Sequence, residues 1–171
     1  GGLRKEFTVF GTEYGQTLEE KMRQVERFLA CGFIGVETKL FVSGEVSLGA
    51  VQERARMLRA ILERVPEDFE VMADCNLRWG PASNVILVIK GYQLDRFPNL
   101  LLEQPVPYAD LSGLQKIRQA VSCPVIADES SISAEMVFQL ARLQAADVIC
   151  VKLPRVGGLY PARLVVAAAE A

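Results

Sequence analysis

Apolar residues along the chain fall into two kinds of run. Short continuous runs recur as "FTVF" (7–10), "FIGVETKL" (33–40), "FEVMAD" (69–74), "LLLE" (100–103), "PVIAD" (124–128) and "DVICVKL" (147–153). Runs that are apolar throughout, rather than alternating, suit parallel strands covered on both faces. The segments between them carry a helical period. After Thr17, with Glu20 three residues on to complete a capping box, come Leu18, Met22, Val25 and Leu29. Leu111, Leu114 and Ile117 follow Asp110, and Met136, Leu140 and Leu143 follow Ser133, each led by an N-cap residue type. The segment 81–95, "PASNVILVIKGYQLD", has a Val and Ile cluster that a strand would also accommodate; alternation with its neighbours predicts a helix.

Six strand–helix units in succession predict an α/β fold, either an open doubly wound sheet or a (β/α)8 barrel. No G-x-G-x-x-G or Walker turn follows the first strands, which disfavours the nucleotide-binding version. A whole barrel takes about 250 residues, and this chain has 171. The expectation is therefore a single domain over 1–171, a partial (β/α)8 TIM-type barrel of about six βα units without its last strands.

Composition removes several kinds of chemistry. There is no histidine, so Ser-His-Asp and Cys-His triads and all His-ligated metals are excluded. Acid–base work must fall to Lys, Asp, Glu, Tyr or Cys. The four cysteines, Cys31, Cys75, Cys123 and Cys150, include no C-x-x-C pair, which removes zinc-finger and thioredoxin readings. Cys123 and Cys150 lie in apolar runs, where reduced, buried thiols are expected. Reduced thiols and a start without a signal-peptide pattern lead to the expectation of a cytoplasmic protein. With 19 Lys and Arg against 21 Asp and Glu, nothing suggests a nucleic acid or anionic membrane partner.

Candidate chemistry appears at the strand ends. Lys39, Asp74, Glu103, Asp128 and Lys152 end five successive strands at intervals of 35, 29, 25 and 24 residues. In folds of this class the carboxyl ends of the strands are where sites are built. Parallel neighbours stand about 4.8 Å apart, so Asp74, Glu103 and Asp128 can converge, and an all-oxygen set suits a hard cation such as Mg²⁺. One such acid alone would be a solvated loop residue or a helix cap; three in register favour a metal. Lys39 and Lys152 would flank it on opposite walls of a closed barrel, one amine for each face of a substrate. Each lysine alone would be unexceptional at a strand end.

These segments resemble the enolase superfamily, specifically the barrel domain of its mandelate racemase/muconate lactonizing enzyme family, in the muconate-lactonizing-like branch. "MADCNLRW" is similar to that family's Asp-x-Asn strand end. "LLEQPVP" matches its Glu-Gln-Pro segment, "PVIADES" its Asp-Glu-Ser segment, and "VKLPRVGGL" its sixth-strand lysine and Gly-Gly turn. The likeness runs from about residue 6 to the end. It implies Mg²⁺ on Asp74, Glu103 and Asp128, Asn76 near the substrate, and Lys39 and Lys152 as paired acid and base. Strand alternation turns Glu129 away from Asp128, to a place behind the ligands. The implied reaction removes the proton α to a carboxylate and forms an enediolate. Racemisation or epimerisation of a small carboxylate or amino-acid derivative comes first. Dehydration or cycloisomerisation would use the same residues, and a Schiff-base aldolase or an incompetent fragment are the rivals.

Three departures accompany the likeness. The family's N-terminal capping domain and last two strands have no counterpart here, and exposed edges lead to the expectation of a homo-oligomer. On the second strand, Glu37-Thr38-Lys39 stands where the family usually has Lys-x-Lys. Glu37 would raise the pKa of Lys39, or bind a cationic nitrogen of the substrate. Gly157 and Gly158 fit either an anion-binding turn or a plain chain reversal.

Overall fold

The computed structural model describes residues 8–170. Six strands, β1 (Phe10–Glu13), β2 (Gly35–Lys39), β3 (Glu70–Asp74), β4 (Leu100–Glu103), β5 (Val125–Ala127) and β6 (Val148–Ile149), form one sheet in chain order. Every neighbouring pair is parallel. Helices α1 (Leu18–Ala30), α2 (Leu48–Leu62), α3 (Ala82–Gly91), α4 (Leu111–Ala120) and α5 (Ala134–Leu143) connect the strands, and α6 (Leu153–Val156) and α7 (Leu159–Glu170) follow β6. Strand order equal to chain order means that each crossover steps to the adjacent strand, as in a barrel and not as in a doubly wound sheet.

The core shows the same thing. Val36, Val71, Ala73, Leu100, Leu102, Val125 and Ala127 join one buried cluster with the helix residues Val51, Ala55, Leu58, Val85, Leu114 and Ile117. Alternation puts the remaining strand residues, Glu37, Lys39, Asp74 and Glu103, on the opposite face. All the helices of that cluster thus cover one side of the sheet, and the other side is left for charged groups.

Local signals explain most boundaries. Thr17 and Glu20 form the reciprocal capping box at the start of α1. Ser47, Asp110 and Ser133 cap α2, α4 and α5 through their side chains. Segment 81–95 is helical over Ala82–Gly91, so its Val and Ile cluster serves a buried helix face. Two strand expectations shift. The first strand lies at Phe10–Glu13, not 7–10, because its anchor is the polar Glu13, which is fully buried; residue 7 falls outside the described residues. The sixth is short because Lys152 caps α6, with Pro154 in its first turn. Gly157 adopts φ 91° and ends α6, and Gly158 donates its N–H to Leu153 O at 2.9 Å. The Gly-Gly segment is thus a helix-to-helix reversal with that N–H already used. No helix among the described residues is long and apolar enough to cross a membrane.

Candidate active site

The register of the sheet places the charged residues side by side. Lys39 pairs with Asp74 across β2 and β3, and Asp74 pairs with Glu103 across β3 and β4. Between β4 and β5 it is Ile126 that lies opposite Glu103, so Asp128 stands two residues further along, just past the end of β5. Lys152 lies likewise beyond β6. This stagger keeps the row on one face while moving it progressively past the strand ends, as the tilt of a barrel requires.

Two overlapping groups result. One ligand oxygen each from Glu37, Asp74 and Glu103 lie within 4.8 Å of one another, and so do oxygens of Glu103 and Asp128 with Cys150 Sγ. Glu103 belongs to both and joins the three candidate ligands into one row. It is 2% exposed, and its Oε2 has no hydrogen-bond partner. Burial, followed by the charges of Asp74 and Asp128, pushes its carboxyl up to about 8. A buried carboxylate oxygen without a donor, between two further carboxylates, is a position that a hard dication would satisfy. The oxygen donors fit Mg²⁺.

A cation guards each end of the row. Lys39 Nζ lies 2.5 Å from both Glu37 Oε1 and Asp74 Oδ2. Burial works against its charge, but the two carboxylates outweigh it and hold the ammonium well above the ordinary lysine range. Burial pushes Asp74 up, and Lys39 opposes it. At the other end Lys152 Nζ lies 2.5 Å from Asp128 Oδ2. Arg155 makes a two-pronged contact with the same carboxylate, at 2.5 and 3.2 Å. Burial of Asp128 is outweighed by Arg155 and then Lys152, so its carboxyl titrates below the usual range. Lys152, resisting burial through Asp128, is raised.

The other expected residues are placed as follows. Both Glu37 oxygens have partners within the chain, Oε1 on Lys39 and Oε2 accepting from Thr12 Oγ1 at 2.9 Å. Asn76 has φ 43° and donates its backbone N–H to Asp74 Oδ1 at 2.8 Å, which orients that carboxylate. Glu129 is half-buried, just past the end of β5, where strand alternation no longer governs direction. Burial and then Asp128 push its carboxyl up, and its Oε2 is buried without a partner. All four cysteines are free. Cys123 is buried as expected, but Cys150 sits beside charged groups: burial and then Asp128 push its thiol up to about 12.

Three contributors escaped the sequence. Arg155 has a local signal, three residues after Lys152 and therefore on the first turn of α6 beside it. Gln104, fully buried, accepts from the N–H groups of Asp128 and Ser130 at 2.9 and 3.2 Å and donates to Ser130 Oγ at 2.9 Å. It ties the Glu-Gln-Pro and Asp-Glu-Ser segments together. Thr12 has no signal, because its role depends on the register of β1 against β2.

Known proteins share the sequence pattern and the fold. The family model described as enolase C-terminal domain-like matches residues 20–171. The L-Ala-D/L-Glu epimerase of Bacillus subtilis is 30% identical over 175 residues, covering 100% of this chain and 45% of the epimerase. A chloromuconate cycloisomerase of Pseudomonas is 31% identical over 138 residues, covering 80% of this chain and 36% of that enzyme. A substrate-liganded structure of the Bacillus subtilis epimerase superposes with TM-score 0.83 at 29% identity, over 99% of this chain and 45% of its own. The chain thus spans less than half the length of these relatives, whose names are those of isomerases. Its sequence, sheet order and row of strand-end carboxylates make it a member of the enolase C-terminal domain-like family.

Proposed function

We propose that this chain carries the acid–base and metal-binding groups of a Mg²⁺-dependent racemase or epimerase, acting at the proton α to a carboxylate in an amino-acid derivative. The observation that carries the reading is the order across the sheet: Lys39, Asp74, Glu103, Asp128, Lys152, an amine at each end of a carboxylate row. Asp74, Glu103 and Asp128 would hold the cation. When bound, Mg²⁺ supplies positive charge that relieves the repulsion of the row and offsets negative charge growing on the substrate carboxylate.

The chain's own residues do the rest. Lys39 and Lys152 approach from the two ends, so one can take the α-proton while the other returns a proton to the opposite face. Asn76 and Gln104 fix the directions of Asp74 and of the Asp128 backbone. Arg155 shares the charge of Asp128, which keeps that carboxylate ionised. Cycloisomerisation needs the same groups and is the second reading, favoured by the cycloisomerase relative. A Schiff-base role for Lys152 has less support, since it leaves the carboxylate row of Asp74, Glu103 and Asp128 without a function.

The test is α-proton exchange in deuterated water, with Mg²⁺ and the dipeptides L-Ala–L-Glu and L-Ala–D-Glu as probes. Lys39→Ala and Lys152→Ala should each abolish exchange from one isomer preferentially. Equal loss from both isomers in both variants would refute the two-face assignment. Calorimetry that detects no Mg²⁺ binding would refute the metal site.

A further inference from the structure

Behind the site lies a second charged group, and it is completely enclosed. Lys21, on α1, and Glu13, at the end of β1, are both 0% exposed. Lys21 Nζ donates to Glu13 Oε2 at 2.7 Å and to the backbone carbonyl of Lys39 at 2.8 Å. Glu13 also accepts from Thr38 Oγ1 at 2.9 Å and from the N–H of Gly15. A dry ion pair is a poor source of stability compared with apolar packing, and Leu18 and Val25, one turn away on either side of Lys21, are apolar.

The carbonyl of Lys39 explains what the amine does. Leu40 donates its N–H to Asp74 O on the β3 side, so strand alternation turns the peptide groups of Lys39 toward β1. There the ladder has stopped, because its last pair is Glu13 with Thr38. The ammonium of Lys21 stands where the next backbone donor of β1 would have been. Trp79, also 0% exposed, donates its indole N–H to the carbonyl of Leu40 at 2.9 Å. Two buried side chains thus hold consecutive carbonyls where β2 ends.

We propose that Lys21, charged and aimed by Glu13, is a positioning residue for Lys39: it fixes the backbone from which that amine reaches the substrate. The inference rests on the catalytic reading of Lys39 given above. Lys39 is the last residue of β2, and Lys21 is the donor that holds its carbonyl on the β1 side. A shift of about 1 Å at a reacting group costs up to roughly a hundredfold in rate. Lys152, beyond the far edge of the sheet, has no contact with this group and is the internal control.

The experiment uses two variants. Lys21→Met removes the amine but strands the buried Glu13 carboxylate, so it will lose stability whatever its role. Glu13→Gln/Lys21→Met leaves no unpaired charge: the amide oxygen can accept from the Gly15 N–H and the amide N–H can donate to Thr38 Oγ1, while the ion pair and the bond to the Lys39 carbonyl are removed. In the double variant the melting temperature should return to within a few degrees of wild type. Exchange from the dipeptide isomer served by Lys39 should stay at least about tenfold reduced, while exchange from the Lys152 isomer stays within about threefold of wild type. Restoration of both rates, or an equal fall in both, overturns the proposal.

If the wild-type protein exchanges neither isomer, the catalytic reading fails and a second measurement decides this one. In metal-free, ¹⁵N-lysine-labelled protein, the double variant should displace the Lys39 ammonium resonance and leave that of Lys152 in place. An unmoved Lys39 resonance overturns the positioning role.

Discussion

Glu103→Gln should stabilise the metal-free protein at pH 8 and at the same time remove its stabilisation by Mg²⁺. The Glu103 carboxyl is pushed from its ordinary 4.5 up to about 8, first by burial and then by Asp74 and Asp128. Between these two values the folded chain keeps a proton that the unfolded chain has released. Stability therefore falls as pH rises through that window and levels off above about pH 8. At about 1.36 kcal/mol per pH unit the loss reaches roughly 5 kcal/mol. Rotation of the side chains and entry of water reduce it, to about 2 kcal/mol at the low end. A glutamine has no charge to lose, and its amide can donate to the neighbouring carboxylates. The variant should then melt at least about 5 °C above wild type at pH 8 and within a degree or two of it at pH 4.5. Glu129, also raised, adds to the wild-type slope with the same sign. Asp128, held low, acts only in acid, where its contribution is lost as pH falls through its depressed value. Saturating Mg²⁺ should flatten the wild-type profile, because binding requires the ionised row, and should leave the variant unchanged. The measurement is thermal unfolding by circular dichroism from pH 4.5 to 9, with EDTA and with Mg²⁺. A flat metal-free profile, or a Glu103→Gln variant less stable than wild type at pH 8, would refute the account of this site.

Other substitutions probe the neighbours of the row. Arg155→Met removes one positive charge from Asp128 and should tighten Mg²⁺ binding about three- to tenfold by calorimetry; weaker binding would mean that Arg155 holds the ligand in place and does not compete for it. Trp79→Phe leaves the Leu40 carbonyl buried without its donor and should cost about 1–3 kcal/mol in urea unfolding.

The fold was legible because each level of the sequence agreed with the next. Continuous apolar runs, capped helices and regular spacing all specified successive βα units, and segment 81–95 followed its neighbours despite its strand-like composition. What the sequence concealed depends on register. Phe10 to Glu13 reads poorly as a strand because its last residue is a buried carboxylate, and only Lys21, Thr38 and Gly15 together make that burial tolerable. No pattern in α1 marks Lys21 as different from a solvated lysine, since the acceptor that needs it lies 18 positions away on β2. Strand-end placement likewise revealed Lys39, Asp74, Glu103, Asp128 and Lys152, while Gln104 and Thr12, which orient or hold their neighbours, became visible only through contacts across strands.

Glu37 shows how far strand-end logic reaches. As a sequence feature it raises the basicity of Lys39, and the structure agrees in direction. The same contact draws a fourth carboxylate into reach of Asp74 and Glu103, so the row carries more negative charge than its candidate ligands alone supply. A dication is favoured by that charge, whereas a free amine at Lys39 is opposed by it. Both effects act through the same few oxygens. On the proposed reading, metal binding and the release of Lys39 from Asp74 would be coupled, and a base at this end of the row would become available only as the carboxylate beside it is taken up by the metal.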